Sequence, residues 1–375
     1  MVRLILAAVL FLSALPVTFF AAENDDNTVN VLCYHRFTER SAAAKTVTGD
    51  SYYLSPELFE SHLIYLRDNA NVISMDAYVK ALEAGEELPE KTVLITIDDG
   101  YRSIYTQAYP LLKKYKMPAT VYLYNHFFPG GKNALTSDMV KEMSESGLVT
   151  FGSHSATHPI LTSRRKKGGK LSDEEYAEKL YKEITGSKKY LENRTGLKME
   201  TMAYPYGAYS DEVWKFVKKA GYKAAFSVVD SYNTKSTARY GLKRTMLYTG
   251  DKSDKIKKVL AKNPLKVVSS YPADGGIIKE KRPVLKAVLE EDSFLNTATV
   301  KFRMGNVPLV NDSKYDPETK TLTYVYERDL STGVHTARVM AEGNDGGYHE
   351  FAWLFVIGDR IEEETLKKKL NKEEQ

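Results

Sequence analysis

The sequence is short of the residues that most readily define a protein class. A single cysteine in 375 residues excludes an intramolecular disulfide and any structural zinc cluster built on thiolates. Charge of one sign is also lacking. Lys+Arg 53 against Asp+Glu 49 leaves a formal net charge of +4, too balanced for a protein that grips nucleic acid electrostatically. Beyond the N-terminus no apolar run approaches membrane-spanning length. No Gly-rich dinucleotide fingerprint follows the first predicted strand, and no internal repeat is visible. Histidine is scarce as well, with seven residues: His35, His62, His126, His154, His158, His335 and His349. Any metal must therefore be held by a few of these imidazoles together with carboxylates.

What is present is globular. Hydrophobic residues at 43% and charged residues at 27% argue against extended disorder. At about 150 residues per domain, the length predicts two to three domains. Residues 1–22 read as a secretory signal: Arg3, an apolar run from Leu4 to Phe20, then Ala21-Ala22 before Glu23-Asn24-Asp25-Asp26. An uncleaved N-terminal anchor is the alternative for a run of this length. The expectation is an exported protein (periplasmic, cell-surface or secreted) whose mature chain has no membrane span.

From residue 29 to 262, short apolar runs alternate with amphipathic segments, the pattern of an α/β domain. Predicted strands are Val31–Tyr34, Val93–Ile97, Thr120–Leu123, Val149–Phe151, Met202–Tyr204 and Ala224–Ser227. Helix starts are signalled at Ser55-Pro56-Glu57, Ser74, Ser137-Asp138, the capping box Ser172-Asp173-Glu174-Glu175, and Ser210-Asp211-Glu212. Six strands, most followed by a helix, predict an incomplete (β/α) barrel rather than an open doubly wound sheet. Residues 263–283 read as a linker. Residues 284–358 lose helical periodicity and predict a small β-sandwich, which resembles immunoglobulin-like modules. Residues 359–375 form a charged tail, either a terminal helix or frayed coil. Cys33 reads as a small buried strand residue.

Three polar segments each follow a predicted strand. They are Asp98-Asp99-Gly100 after Val93–Ile97, His154 to His158 after Val149–Phe151, and Tyr204-Pro205-Tyr206-Gly207 after Met202. Taken singly they are an acidic turn, a pair of loop histidines and a Pro/Gly turn. Taken together, at the carboxyl ends of barrel strands, they open onto one face. Two histidines four residues apart converge on one ion if their segment makes a helical turn. Two imidazoles and a carboxylate suit a catalytic divalent metal, leaving the second acid to move a proton.

The stretches TIDDGY, HSATHP and YPYG resemble the motifs of the polysaccharide deacetylases, carbohydrate esterase family 4 with its NodB-like domain. The resemblance covers roughly Val29 to Lys262 and implies that the incomplete barrel is distorted. It implies Asp98 as general base, Asp99, His154 and His158 as ligands of one divalent metal (zinc, with cobalt or nickel as alternatives), and the Tyr206 amide as oxyanion donor. It implies metal-bound water as the nucleophile and an N-acetylated polysaccharide as the substrate. Two departures matter. Ala203 stands where the commoner subgroup has an arginine, and no histidine lies between His158 and His335. His35, ending the first strand, offers the missing acid. This placement, with Leu88–Lys91 between it and the acid doublet, is similar to the subgroup acting on poly-β-1,6-N-acetylglucosamine. Arg244 is a candidate for orienting Asp98, with a surface position as its alternative. Peptidoglycan, chitin-type oligomers and acetylated xylan are the other substrates the chemistry allows. From other classes, the rivals are a non-catalytic polysaccharide binder and a surface protein acting through its sandwich.

Overall fold

The first strand shows how the barrel is organised. In β1 (Val29–Tyr34) every residue is buried, as expected of a parallel strand covered on both faces. Leu32 and Tyr34 join the core under the helices, while Val29 and Val31 join a second cluster inside the sheet's curve. Period-two alternation carries this inward series on through Cys33 to His35. The computed structural model describes residues 27–38, 51–305, 307–309 and 313–371. Residues 1–22, read as a signal, lie outside them.

Seven more strands build the sheet: β2 (Asn71–Val72), β3 (Thr92–Ile97), β4 (Ala119–Leu123), β5 (Val149–Ser153), β6 (Thr201–Ala203), β7 (Ala224–Phe226) and β8 (Thr245–Met246). The order is β7-β6-β5-β4-β3-β1-β8, with β2 beside the start of β3, and all pairs are parallel. The sheet curves part of the way round a barrel. Each predicted strand is present within one or two residues at either end, and β2 and β8 are added.

The helices start where their caps place them. Ser55 caps α1 (Pro56–Asn69) and Ser74 caps α2 (Met75–Ala84), each accepting a backbone N–H three residues on. Thr136, one residue earlier than expected, caps the helix over Ser137–Glu145. The Ser172 capping box opens Asp173–Tyr181. That helix continues through a π-helical turn over Lys182–Gly186 into Ser187–Thr195, a widening that periodicity did not signal. Packing inside the curve of the sheet is tight at Gly152 in β5, where a Cβ would lie 2.4 Å from the Tyr122 ring of β4 and 2.8 Å from the Thr201 carbonyl oxygen of β6. Gly152→Ala is expected to lower stability by about 1–3 kcal/mol through overpacking, measured by urea unfolding.

The C-terminal part adds two sheets. Its strands are β9 (Asn263–Pro264), β10 (Val267–Tyr271), β11 (Ile277–Ile278), β12 (Val284–Leu289), β13 (Leu295–Met304), β14 (Val307–Leu309), β15 (Lys314–Asp316), β16 (Thr321–Val325), β17 (Gly333–Gly343) and β18 (Tyr348–Ile357). One sheet runs β9-β18-β17-β13-β14 with β11 also on β18, and the other runs β10-β12-β16-β15. They enclose their own core, including Leu285, Leu322, Phe302 and Trp353. Residues 263–283, expected as a linker, instead supply β9, β10 and β11. These short strands bond through their backbones to β18 and β12 rather than to water. The tail forms a helix over Glu363–Asn371, with Leu366 buried in the barrel core.

Strand β18 is buried on both faces. Trp353, Phe355 and Ile357 enter the C-terminal core, whereas Ala352, Leu354 and Val356 enter the core of the barrel. The two halves therefore share a packed strand. Among the described residues, no helix is long and apolar enough to cross a membrane.

Candidate active site

The inward series of β1 and β3 ends on chemistry. Beyond Leu94 and Thr96, the same face of β3 presents Asp98, buried at the carboxyl end of the strand. Simple alternation would send Asp99 to the opposite side. Its left-handed backbone, φ 76°, turns the chain so that both carboxylates serve one cluster. Aspartate tolerates that region better than most residues.

His154 and His158 meet without a helical turn, contrary to the geometry expected for them. The chain from 154 to 158 is an irregular loop with Ser155 at φ 69° and His158 at φ 58°. Glu183, buried on the π-helical turn, fixes this loop. Its carboxylate accepts the backbone N–H groups of Ala156 (3.0 Å) and Thr157 (2.9 Å) and the Thr157 hydroxyl (2.5 Å). The Ser155 hydroxyl accepts the His158 N–H at 3.1 Å. Sequence reasoning passed over Glu183, since a glutamate within a helix carries no local signal that it faces inward.

The result is a compact donor set. The Nε2 atoms of His154 and His158 lie 3.1 Å apart, and Asp99 Oδ1 is 3.7 Å from the first and 3.5 Å from the second. His154 Nδ1 is 2.7 Å from the Ala203 carbonyl oxygen. A proton on Nδ1 bonds that oxygen and leaves the Nε2 lone pair directed at the cluster, as metal-binding histidines are usually held. Burial lowers the His154 ring to about 3 and also lowers His158, so both are neutral donors at ordinary pH. Burial and the charge of Asp98 push the Asp99 carboxyl up to about 7. A cation among these three side chains would relieve that repulsion, so the donor set fits a divalent ion.

Asp98 is held differently. Burial alone would raise its carboxyl, but Arg244 and the neighbouring His154 outweigh burial and keep it well below the usual carboxylate range. Arg244 is fully buried and bidentate: Nη1 donates to Oδ1 and Nη2 to Oδ2, both at 2.7 Å. It is not a surface residue. It comes from the segment entering β8, and its Nε donates to the Ser227 carbonyl oxygen at 2.8 Å. The Cys33 thiol donates to Asp98 Oδ2 at 3.4 Å, and burial pushes that thiol up so that it stays protonated. The burial of Cys33 is as read from the sequence; its contact with Asp98 is not.

His35 reaches the same face from β1. A ring nitrogen, Cys33 Sγ and an Asp98 oxygen all lie within 4.8 Å of one another. Its Nδ1 is buried and has no hydrogen-bond partner among the described residues. Burial lowers the imidazole to about 4, so the ring rests neutral and releases any proton it receives readily. Its ring packs 5.0 Å from Tyr52. Tyr206 stands at the rim, 65% exposed and left-handed at φ 57°, its ring edge-on to His158 at 4.9 Å. Gly207 allows this turn, being left-handed itself with Val228 N 2.5 Å from where a Cβ would sit. His62 belongs to the packing, between the Asp251 carbonyl (2.8 Å) and the Tyr34 hydroxyl (3.3 Å).

These features define a class, an α/β-barrel enzyme with its chemistry at the carboxyl ends of the strands. The family model described as polysaccharide deacetylase matches residues 85–225. The chain is 30% identical over 237 residues to the poly-β-1,6-N-acetyl-D-glucosamine N-deacetylase of several Staphylococcus aureus strains, covering 59% of this chain and 79% of that protein. Among solved structures, a de-N-acetylase from Aggregatibacter actinomycetemcomitans is 28% identical with a TM-score of 0.54, covering 62% of this chain and all (100%) of that one. The Streptococcus pyogenes deacetylase PplD, at 23% identity, shares the fold with a TM-score of 0.55 over 63% of this chain and 99% of its own. The chain belongs to the polysaccharide deacetylase family and is a polysaccharide N-deacetylase.

Proposed function

We propose that this enzyme removes N-acetyl groups from an extracellular or cell-envelope N-acetylhexosamine polymer of the poly-β-1,6-N-acetylglucosamine type. The observation that carries this reading is the buried Asp98–Arg244 pair set beside the Asp99–His154–His158 donors, with His35 facing Asp98 from β1. The 30% identity to the staphylococcal enzyme over 79% of its length supports the substrate class. Export rests on residues 1–22, and zinc is the favoured ion of the donor set. The two C-terminal sheets are read as an immunoglobulin-like sandwich.

Asp99, His154 and His158 would hold the ion, which when bound polarises the acetamide carbonyl and makes a water acidic. Asp98, kept ionised by Arg244, takes a proton from the attacking water. The Tyr206 N–H donates to the oxygen that gains charge as water adds to the carbonyl carbon. His35, neutral at rest, takes up the proton that Asp98 removed from the water and delivers it to the nitrogen as the C–N bond breaks, so that acetate and a free amine leave. Ala203 stands where the commoner subgroup has an arginine, and Arg244, from the segment entering β8, supplies a guanidinium to Asp98 instead.

Free-amine production on defined N-acetylated glycans, with and without chelator, tests the reading. Activity on β-1,6-linked N-acetylglucosamine oligomers exceeding that on chitin-type oligomers is expected. For His35→Ala, kcat should fall by about 10²–10⁴-fold with zinc affinity by calorimetry unchanged. Near-normal turnover in that variant would remove His35 from the mechanism.

A further inference from the structure

Arg244 sits at the seam of the barrel. Strands β7 and β8 are not paired among the described residues, and the gap between them is spanned by one parallel bridge, Phe226 to Leu242. A short strand of two residues at an open edge has little local stability. Yet the Arg244 fork must meet Asp98 with both bonds at 2.7 Å.

The residues on either side of Arg244 are tied to the C-terminal sheets. Lys243 is buried, and its ammonium lies 2.7 Å from Asp274 Oδ2. Asp274 belongs to the turn between β10 and β11, and its Oδ1 accepts the Leu354 N–H of β18 at 3.1 Å. On the other side, the Thr245 hydroxyl donates to Asp230 Oδ1 at 2.6 Å. Lys262 bridges Asp230 (2.9 Å) to Glu350 of β18 (3.2 Å). Arg338 of β17 pairs with Glu350 and donates to the Asp230 carbonyl oxygen. Both clusters end on β18, the strand buried on both faces.

We propose that the C-terminal sheets are a brace for the catalytic base: Asp274 and Glu350 are positioning residues that hold the strand of Arg244, and through it Asp98, in register. The role of these sheets is therefore exerted inside the barrel, on kcat, and not through capture of polymer. None of the bracing residues touches the donor set or the rim, so substrate affinity is left alone. The proposal rests on the reading of Asp98 as the base. Its structural part stands independently of that reading.

The test uses the full chain and a short soluble β-1,6-N-acetylglucosamine oligomer. Asp274→Asn is expected to lower kcat by about tenfold, since displacements of an ångström or less at a reacting group have effects of this order. KM should stay within about twofold, and adding Asp274→Asn to Arg244→Lys should lower kcat by less than about twofold more, because both act through one path. Deuterium uptake over residues 242–246 should rise in Asp274→Asn while that over 92–97 is unchanged. Wild-type kcat in Asp274→Asn, an equal loss in the Arg244→Lys background, or unchanged exchange at 242–246 would each overturn the brace. Should Asp274→Asn not fold, Glu350→Gln on the opposite flank carries the same expectations. If the wild-type chain itself releases no acetate, the deacetylase reading fails, and the exchange measurement still decides the brace.

Discussion

Asp98→Asn is expected to abolish measurable deacetylation, a loss of at least about 10³-fold, while zinc still binds. An asparagine in that place cannot accept the proton of the attacking water, and general-base contributions are typically of order 10²–10⁴. Asp99, His154 and His158 keep their positions, because the loop of the histidines is held by Glu183 and Ser155, not by Asp98. The same change leaves Arg244 buried opposite a neutral amide. Breaking a buried pair in this way lowers stability by about 3–5 kcal/mol, so the variant should be assayed well below its melting temperature. Calorimetric titration with zinc alongside acetate release separates the two effects. Residual turnover near the wild-type level would show that another group takes the proton.

The second large effect is expected at His154, where metal and turnover should be lost together. Its ring is buried, its Nδ1 is fixed on the Ala203 carbonyl, and its Nε2 is central to the donor set. His154→Ala removes a direct ligand. Changes to groups that merely support ligands weaken metal binding by about 10–100-fold, so at least about 100-fold is expected here. Acetate release should fall to background and should not be rescued by excess zinc at concentrations that saturate the wild-type chain. Retention of both properties would mean that the histidine pair is structural. The contrast between this variant and Asp98→Asn, one losing the ion and the other only the chemistry, separates a ligand of the ion from the group that takes the proton.

The acid doublet and the histidine pair are legible in the sequence because each follows its own predicted strand and because together, not singly, they match the motifs of one family. Alternation along β1 and β3 explains why His35 and Asp98 face each other, and that period is readable in the sequence. What could not be read there depends on contacts distant in the chain. The left-handed turns at Asp99 and His158 replaced the helical turn expected for the histidines. Arg244 lies in an irregular segment whose burial follows from closure of the barrel, 146 residues from its partner. Glu183 faces the site because the helix widens by a π turn, which leaves no mark in the apolar pattern. Residues 263–283 looked like a linker because their strands are short and Pro272, Gly275, Gly276 and Pro283 fall between or beyond them. Their partners on β18 are supplied more than 70 residues later.

Everything functional here depends on one ion sharing Asp99, His154 and His158. Anomalous diffraction at the zinc edge, from crystals of the full chain grown with zinc, tests this directly. A single strong peak is expected at about 2.0–2.2 Å from an Asp99 oxygen and from both Nε2 atoms. A peak bound elsewhere, with these three side chains turned away from one another, would contradict it.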